Sequence, residues 1–281
     1  MKRIANLVFW LLLPLVGVQA GEPKSYEMPR TQVMAIKDSA TEKQYELYIK
    51  LPENYGENID KNYPVIYTTD AVWHMDLLSG FTEFLMPNVI LVGISWQTDG
   101  NDERAHSSRF RDYTTHPSSD PERQAKYRFG QAAKHLTFIR DEVIKYVERN
   151  YRAAAGQRAY MAYSLGGSFG AYMLFAAPDT FNHYVLGSPA FGDRSFKIVE
   201  ELEAKMAPQQ QDVRVNVFAS IGELETSERD ITKQFVAILE RRKNAGFKFG
   251  GLQVIKESDH TTAVPETFAR GIKWLSKKVS E

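Results

Sequence analysis

Ser164 stands in Ala162-Tyr163-Ser164-Leu165-Gly166, one methyl away from G-x-S-x-G, the strand-turn-helix elbow that presents a nucleophilic serine. A serine hydroxyl is a weak nucleophile, so it needs a neighbouring base, and the base needs an acid to orient it. Where the nucleophile sits on an elbow, the acid and then the histidine follow it in the chain. Only His183 and His260, of six histidines, lie beyond Ser164. His183 comes too early to leave room for an acid, so His260, in Glu257-Ser258-Asp259-His260-Thr261, is the candidate base. Two carboxylates compete for the acid in Gly222-Glu223-Leu224-Glu225. Glu225 lies three residues past the turn glycine, a spacing that lets the chain bend before it presents a side chain inward, and is preferred to Glu223. Asp259 reads as a solvated neighbour and Ser168 as a packed helix residue.

The elements that must position these groups alternate strand and helix. Gln44–Leu51 alternates with period two; Tyr63–Asp70 and Asn88–Ile94 are continuous apolar runs of the kind buried in parallel sheets. Residues 131–151 carry apolar residues near period 3.6, as an amphipathic helix does. A strand over residues 158–163 runs into Ser164, and a helix from Leu165 ends before Pro178. Strands over 183–187, 214–221 and 249–256, with helices over 231–242 and 269–278, complete the series. This order predicts an α/β fold, a mostly parallel central sheet with helices on both faces, in a single domain over 21–281.

Lys2 and Arg3 precede an apolar run that ends at Val18-Gln19-Ala20, the pattern of a bacterial secretory leader cleaved after Ala20. Its apolar core is shorter than the ~20 residues that span a bilayer, so no membrane attachment is expected after cleavage and the mature chain is expected in the periplasm or outside the cell. The chain has no cysteine; its length supplies a core that needs no disulfides. Lys+Arg and Asp+Glu both number 35, so no field of one sign is available to hold nucleic acid. The run Asp99-x-Asn101-x-Glu103 lacks the glycine and closing glutamate of a calcium loop and reads as solvated. No metal or organic cofactor is required by serine chemistry.

With Tyr67-Thr68-Thr69-Asp70-Ala71, Arg111-Asp112-Tyr113-Thr114, Ser164-Leu165-Gly166-Gly167, Ser188-Pro189 and Asp259-His260 added to the motifs above, nearly all of the mature chain resembles the putative-esterase family of α/β-hydrolases. This is the group of esterase D, enterochelin-esterase-like trilactone hydrolases, feruloyl esterases and antigen-85 mycolyltransferases. The resemblance implies an α/β-hydrolase fold and a serine carboxylic-ester hydrolase. It supports Glu225 as the acid, with oxyanion N–H groups from Leu165 and from Val72, where Asp70-Ala71-Val72 replaces the family's Asp-Gly-x. The substrate is expected to be a small-molecule or glycan-linked ester, with a siderophore trilactone as one specific form. Trp73, His74, Trp96, Arg111 and Tyr163 are the candidates for touching it. A non-catalytic periplasmic binding protein that keeps the fold is the alternative, with Ala162 and Ala71 in place of glycine as its signs.

Overall fold

The structure, a computed structural model, describes residues 25–57, 59–100, 105–206, 214–226, 229–243 and 246–279. The expected leader, and most of the Asp99–Glu103 run, lie outside the described residues.

Eight strands form one sheet: β1 Thr31–Lys37, β2 Gln44–Lys50, β3 Tyr63–Thr68, β4 Ile90–Ile94, β5 Ala153–Tyr163, β6 His183–Gly187, β7 Val215–Gly222 and β8 Phe247–Ile255. Their order is β1-β2-β4-β3-β5-β6-β7-β8. The pairs β1–β2 and β2–β4 are antiparallel and the rest are parallel. The helices are α1 Ala71–Leu85, α2 Ser108–Asp112, α3 Pro121–Tyr127, α4 Ala132–Phe138, α5 Lys145–Asn150, α6 Leu165–Ala176, α7 Asp193–Met206, α8 Arg229–Arg241 and α9 Ala263–Val279. This is the α/β-hydrolase arrangement.

Two apolar clusters sandwich the sheet. Residues on alternate sides of a strand belong to different clusters: Tyr160 and Ala162 of β5 pack with Phe169 and Phe235, whereas Ala159, Met161 and Tyr163 pack with Phe268 and Leu275 of α9. Burial on both faces explains why the central strands read as unbroken apolar runs.

Two elements differ from the expectation. The edge strand β1 turns only Met34 and Ile36 towards the core and leaves Val33 exposed on its other side, so its hydrophobic pattern is too weak to mark it. The helix expected over 131–151 is interrupted by a π-helical turn, Ile139–Ile144, between α4 and α5. Phe138, Ile139, Val143, Ile144 and Val147 are all buried across this wider turn.

Candidate active site

The parallel strands end at one edge, and the groups capable of chemistry leave from those ends. Ser164 joins β5 to α6 with φ 56° and ψ −124°, a conformation a non-glycine residue adopts only when its surroundings hold it. Here its N–H donates to the Gly187 carbonyl at 2.9 Å, and its carbonyl accepts from Ser168 and Ala190 N–H groups at 3.0 and 3.1 Å. The turn tolerates Ala162 because the facing residue has no side chain. A Cβ on Gly166 would fall 3.1 Å from the Ala162 Cβ and 2.8 Å from Thr69 Oγ1. The methyl that Ala162 adds therefore occupies room left by Gly166.

Ser164 Oγ lies 2.8 Å from His260 Nε2, and His260 Nδ1 lies 2.6 Å from Glu225 Oε2. The His260 loop between β8 and α9 is held by Asp259, whose carboxylate accepts from the N–H groups of Thr261 and Thr262 at 2.9 and 2.8 Å. Gly222 ends β7 where a Cβ would strike the Ser258 carbonyl at 2.5 Å, so the Glu225 turn can tuck beneath the histidine loop. Glu225 is 4% exposed. Its Oε1 accepts from Gly222 N–H at 2.7 Å and from Ser188 Oγ at 2.6 Å. Burial pushes this carboxyl up, but hydrogen bonds from His260, Ser188 and Gly222 together outweigh it and hold it below the usual glutamate range. Tyr163 extends the chain: its hydroxyl donates to Ser188 Oγ at 2.7 Å, and its ring packs 5.2 Å from that of His260. Glu223, the competing acid, instead accepts from Glu257 N–H and the Lys256 ammonium on the surface.

The first turns of α1 and α6 lie side by side, because Gly166 abuts Thr69 and Asp70. The first N–H groups of a helix have no partner within it, so Val72 and Leu165 both carry N–H groups suited to an oxyanion. Ahead of Val72, Asp70 has φ 55°. Its buried carboxylate accepts from Trp96 Nε1 at 2.7 Å and from the Arg109 fork at 2.9 and 2.8 Å. That network fixes the loop which the substitution of Ala71 for glycine left in question.

Four of the five residues expected to touch substrate are committed within the protein. Trp96 is buried on Asp70. His74 is buried with Nδ1 3.2 Å from the Thr69 carbonyl and its ring against Phe268, and burial lowers its affinity for a proton. Tyr163 is buried under His260. Arg111 is forked onto Asp112 at 2.7 and 2.9 Å and reaches Gln97 at 2.7 Å. Trp73 alone stays open, 48% exposed, stacked edge-on to Trp96 and beneath the Arg109 guanidinium. The space beside the nucleophile is a cavity of ≈ 380 Å³ whose walls include Leu165, Tyr113, His116, Arg123, Phe129 and Phe191. Nothing in the sequence separates Arg123 and Phe129, which line this cavity, from Arg111, which does not. Among the described residues, no cluster of His, Asp and Glu could hold a metal ion.

A family model described as "Putative esterase" matches residues 39–250. The chain belongs to the putative esterase family. It is an ester hydrolase. It is 25% identical to the ferri-bacillibactin esterase BesA of Bacillus subtilis (strain 168), over 90% of this chain and 92% of that protein. Among solved structures, the BES protein from Bacillus cereus superposes with a TM-score of 0.80 at 21% identity, covering 91% of this chain and 99% of that one. An IroE-like serine hydrolase from Shewanella oneidensis gives 0.75 at 21% identity, over 88% of this esterase and 80% of that chain. No helix among the described residues is long and apolar enough to cross a membrane.

Proposed function

We propose that this esterase uses Ser164 as nucleophile, His260 as base and Glu225 as orienting acid, with the N–H groups of Leu165 and Val72 as oxyanion donors. The observation that carries the reading is the unbroken chain Ser164 Oγ, His260 Nε2, His260 Nδ1, Glu225 Oε2, at 2.8 and 2.6 Å. His260 takes the serine proton as Oγ attacks the ester carbonyl. The resulting oxyanion is met by the two helix-start N–H groups, and His260 returns the proton to the departing alcohol. Water, deprotonated by the same imidazole, then cleaves the acyl-enzyme and frees the acid and the serine. Glu225 remains ionised throughout and stabilises the transient imidazolium.

A fluorophosphonate probe tests the assignment. The wild type should label at one serine and Ser164→Ala should not; an unlabelled wild type would favour a binding protein that keeps only the fold. The likeness to the ferri-bacillibactin esterase of Bacillus subtilis favours a siderophore ester as substrate. Relative kcat/KM on a trilactone siderophore, feruloyl and acetyl sugars and short p-nitrophenyl esters decides between these classes. The leader read at residues 1–20 supports export; cell fractionation and N-terminal sequencing of the mature protein, expected to begin at Gly21, test it.

A further inference from the structure

A second concavity, of ≈ 260 Å³, shares no lining residue with the cavity beside Leu165. Four of its lining residues are cations, Lys43, Arg111, Arg128 and Lys134, and two are acids, Asp38 and Asp112. Both acids are already satisfied from within the protein. Asp112 is held by the Arg111 fork and accepts from the Tyr45 hydroxyl at 3.0 Å. Asp38 accepts from the N–H groups of Ala40 and Thr41, at 3.0 and 3.3 Å, and from the Thr41 hydroxyl. Arg111 is spent on Asp112 and Gln97. Lys43, Arg128 and Lys134 remain, with no ion pair among the described residues.

These three come from three separate elements. Lys43 lies just before β2, Arg128 follows α3, and Lys134 sits in the first turn of α4. Burial, the largest influence, pulls the Lys43 ammonium below its ordinary range; the charges of Arg111 and Arg128 add to that pull, and those of Asp112 and Asp38 oppose it. His135, also in the wall, is buried and lowered by the same desolvation, so it adds no compensating or extra charge at neutral pH. A concave surface with a surplus of one sign focuses its field on a counter-ion. Four lining cations against two lining acids leave a formal surplus of two positive charges, which suits a doubly charged oxyanion such as phosphate better than a singly charged carboxylate.

We propose that this concavity binds a tetrahedral oxyanion, either free phosphate or sulfate or the phosphoryl group of a larger molecule, through Lys43, Arg128 and Lys134. The site is independent of ester cleavage and does not rest on the assignment of Ser164. Calorimetric titration of the wild-type protein with inorganic phosphate, at constant ionic strength, should give saturable one-site binding. Arg128→Ala and Lys134→Ala, both at exposed positions, should each weaken it roughly tenfold while leaving the thermal midpoint and hydrolysis of a neutral acetyl ester unchanged. A parallel titration with glucose 6-phosphate identifies the source: tighter binding than phosphate points to a phosphoryl group on a larger molecule, equal binding to the free anion. Absence of saturable heat with the wild type, or binding that survives the Arg128→Ala/Lys134→Ala double variant, would overturn the proposal.

Discussion

The two ends of the parallel sheet treat polar side chains in opposite ways. At the carboxyl edge, Asp70 follows β3, Ser164 follows β5, Ser188 follows β6, Glu225 follows β7 and His260 follows β8. Each of these groups has named hydrogen-bond partners. Three of them, Asp70, Ser164 and Ser188, are held at positive φ, at 55°, 56° and 34°. At the amino edge, Tyr63 opens β3 and His183 opens β6, and the Tyr63 hydroxyl and His183 Nδ1 are buried without a partner. Buried, paired polar groups gather where ligands meet open α/β sheets; Tyr63 and His183 at the opposite edge only pack. Two histidines make the contrast compact. His260 bridges an acid and a hydroxyl at the surface, whereas His183 is an isolated ring beneath Trp274.

The contrast breaks most sharply at Glu225. On the proposed mechanism Glu225→Gln removes the charge that stabilises the imidazolium, and kcat should fall about 10³- to 10⁴-fold, while Glu223→Gln, on the same turn, should leave steady-state kinetics unchanged. Arg109→Met probes the other wall of the site. It leaves the buried Asp70 carboxylate with Trp96 and without its guanidinium, so stability should fall by about 3–5 kcal/mol in urea melts. Displacement of the Val72 N–H should cost about 10²-fold in kcat with a smaller change in KM. Ser188→Ala is gentler. It removes one of the two donors on Glu225 Oε1 and leaves the Tyr163 hydroxyl without its acceptor, so kcat should fall about tenfold or less, near the 1–1.5 kcal/mol of one such bond. The acid limb of the kcat/KM–pH profile should shift with it, because Glu225 is then less firmly held as the anion. A loss of stability with an unchanged profile would make Ser188 a packing residue only.

How far the sequence reaches follows from the range of the interactions that decide each feature. The meeting of Ser164, Glu225 and His260 is legible because each residue lies just past a strand end, and the order of strands brings those ends to one edge. The parallel core is legible because strands buried on both faces announce themselves as apolar runs. Arg109 and Arg111 show where this fails. They are two residues apart on α2, about 200° around a helix, so one reaches Asp70 beside the nucleophile and the other turns to Asp112. No local pattern says which face is which. The accommodation of Ala162 is equally hidden, since the compensating absence of a side chain is at Gly166, across the turn. The cavity walls at Phe129 and Phe191 come from two distant loops and exist only once the chain has folded.

The smallest effect on catalysis belongs to the amino edge, and there the prediction concerns stability alone. Burial of His183, with the charge of Lys278 adding, lowers its folded-state pKa to about 4, against about 6.5 in an unfolded chain. Between these values the unfolded state binds a proton that the folded state refuses. Stability therefore rises with pH across this window: the contribution of the neutral ring is complete above about 6.5 and is lost progressively as the pH falls towards 4. Between pH 7 and pH 5 the loss amounts to about 2 kcal/mol. His183→Phe keeps a ring of similar size against Trp274 and cannot titrate. Urea melts at pH 7 and pH 5 should show the variant losing less stability than the wild type by about that amount, with kcat on any ester unchanged at pH 7. A variant whose activity fell in step with its stability would mean that the two edges of the sheet are coupled, and the separation between a reactive edge and a packing edge would have to be abandoned.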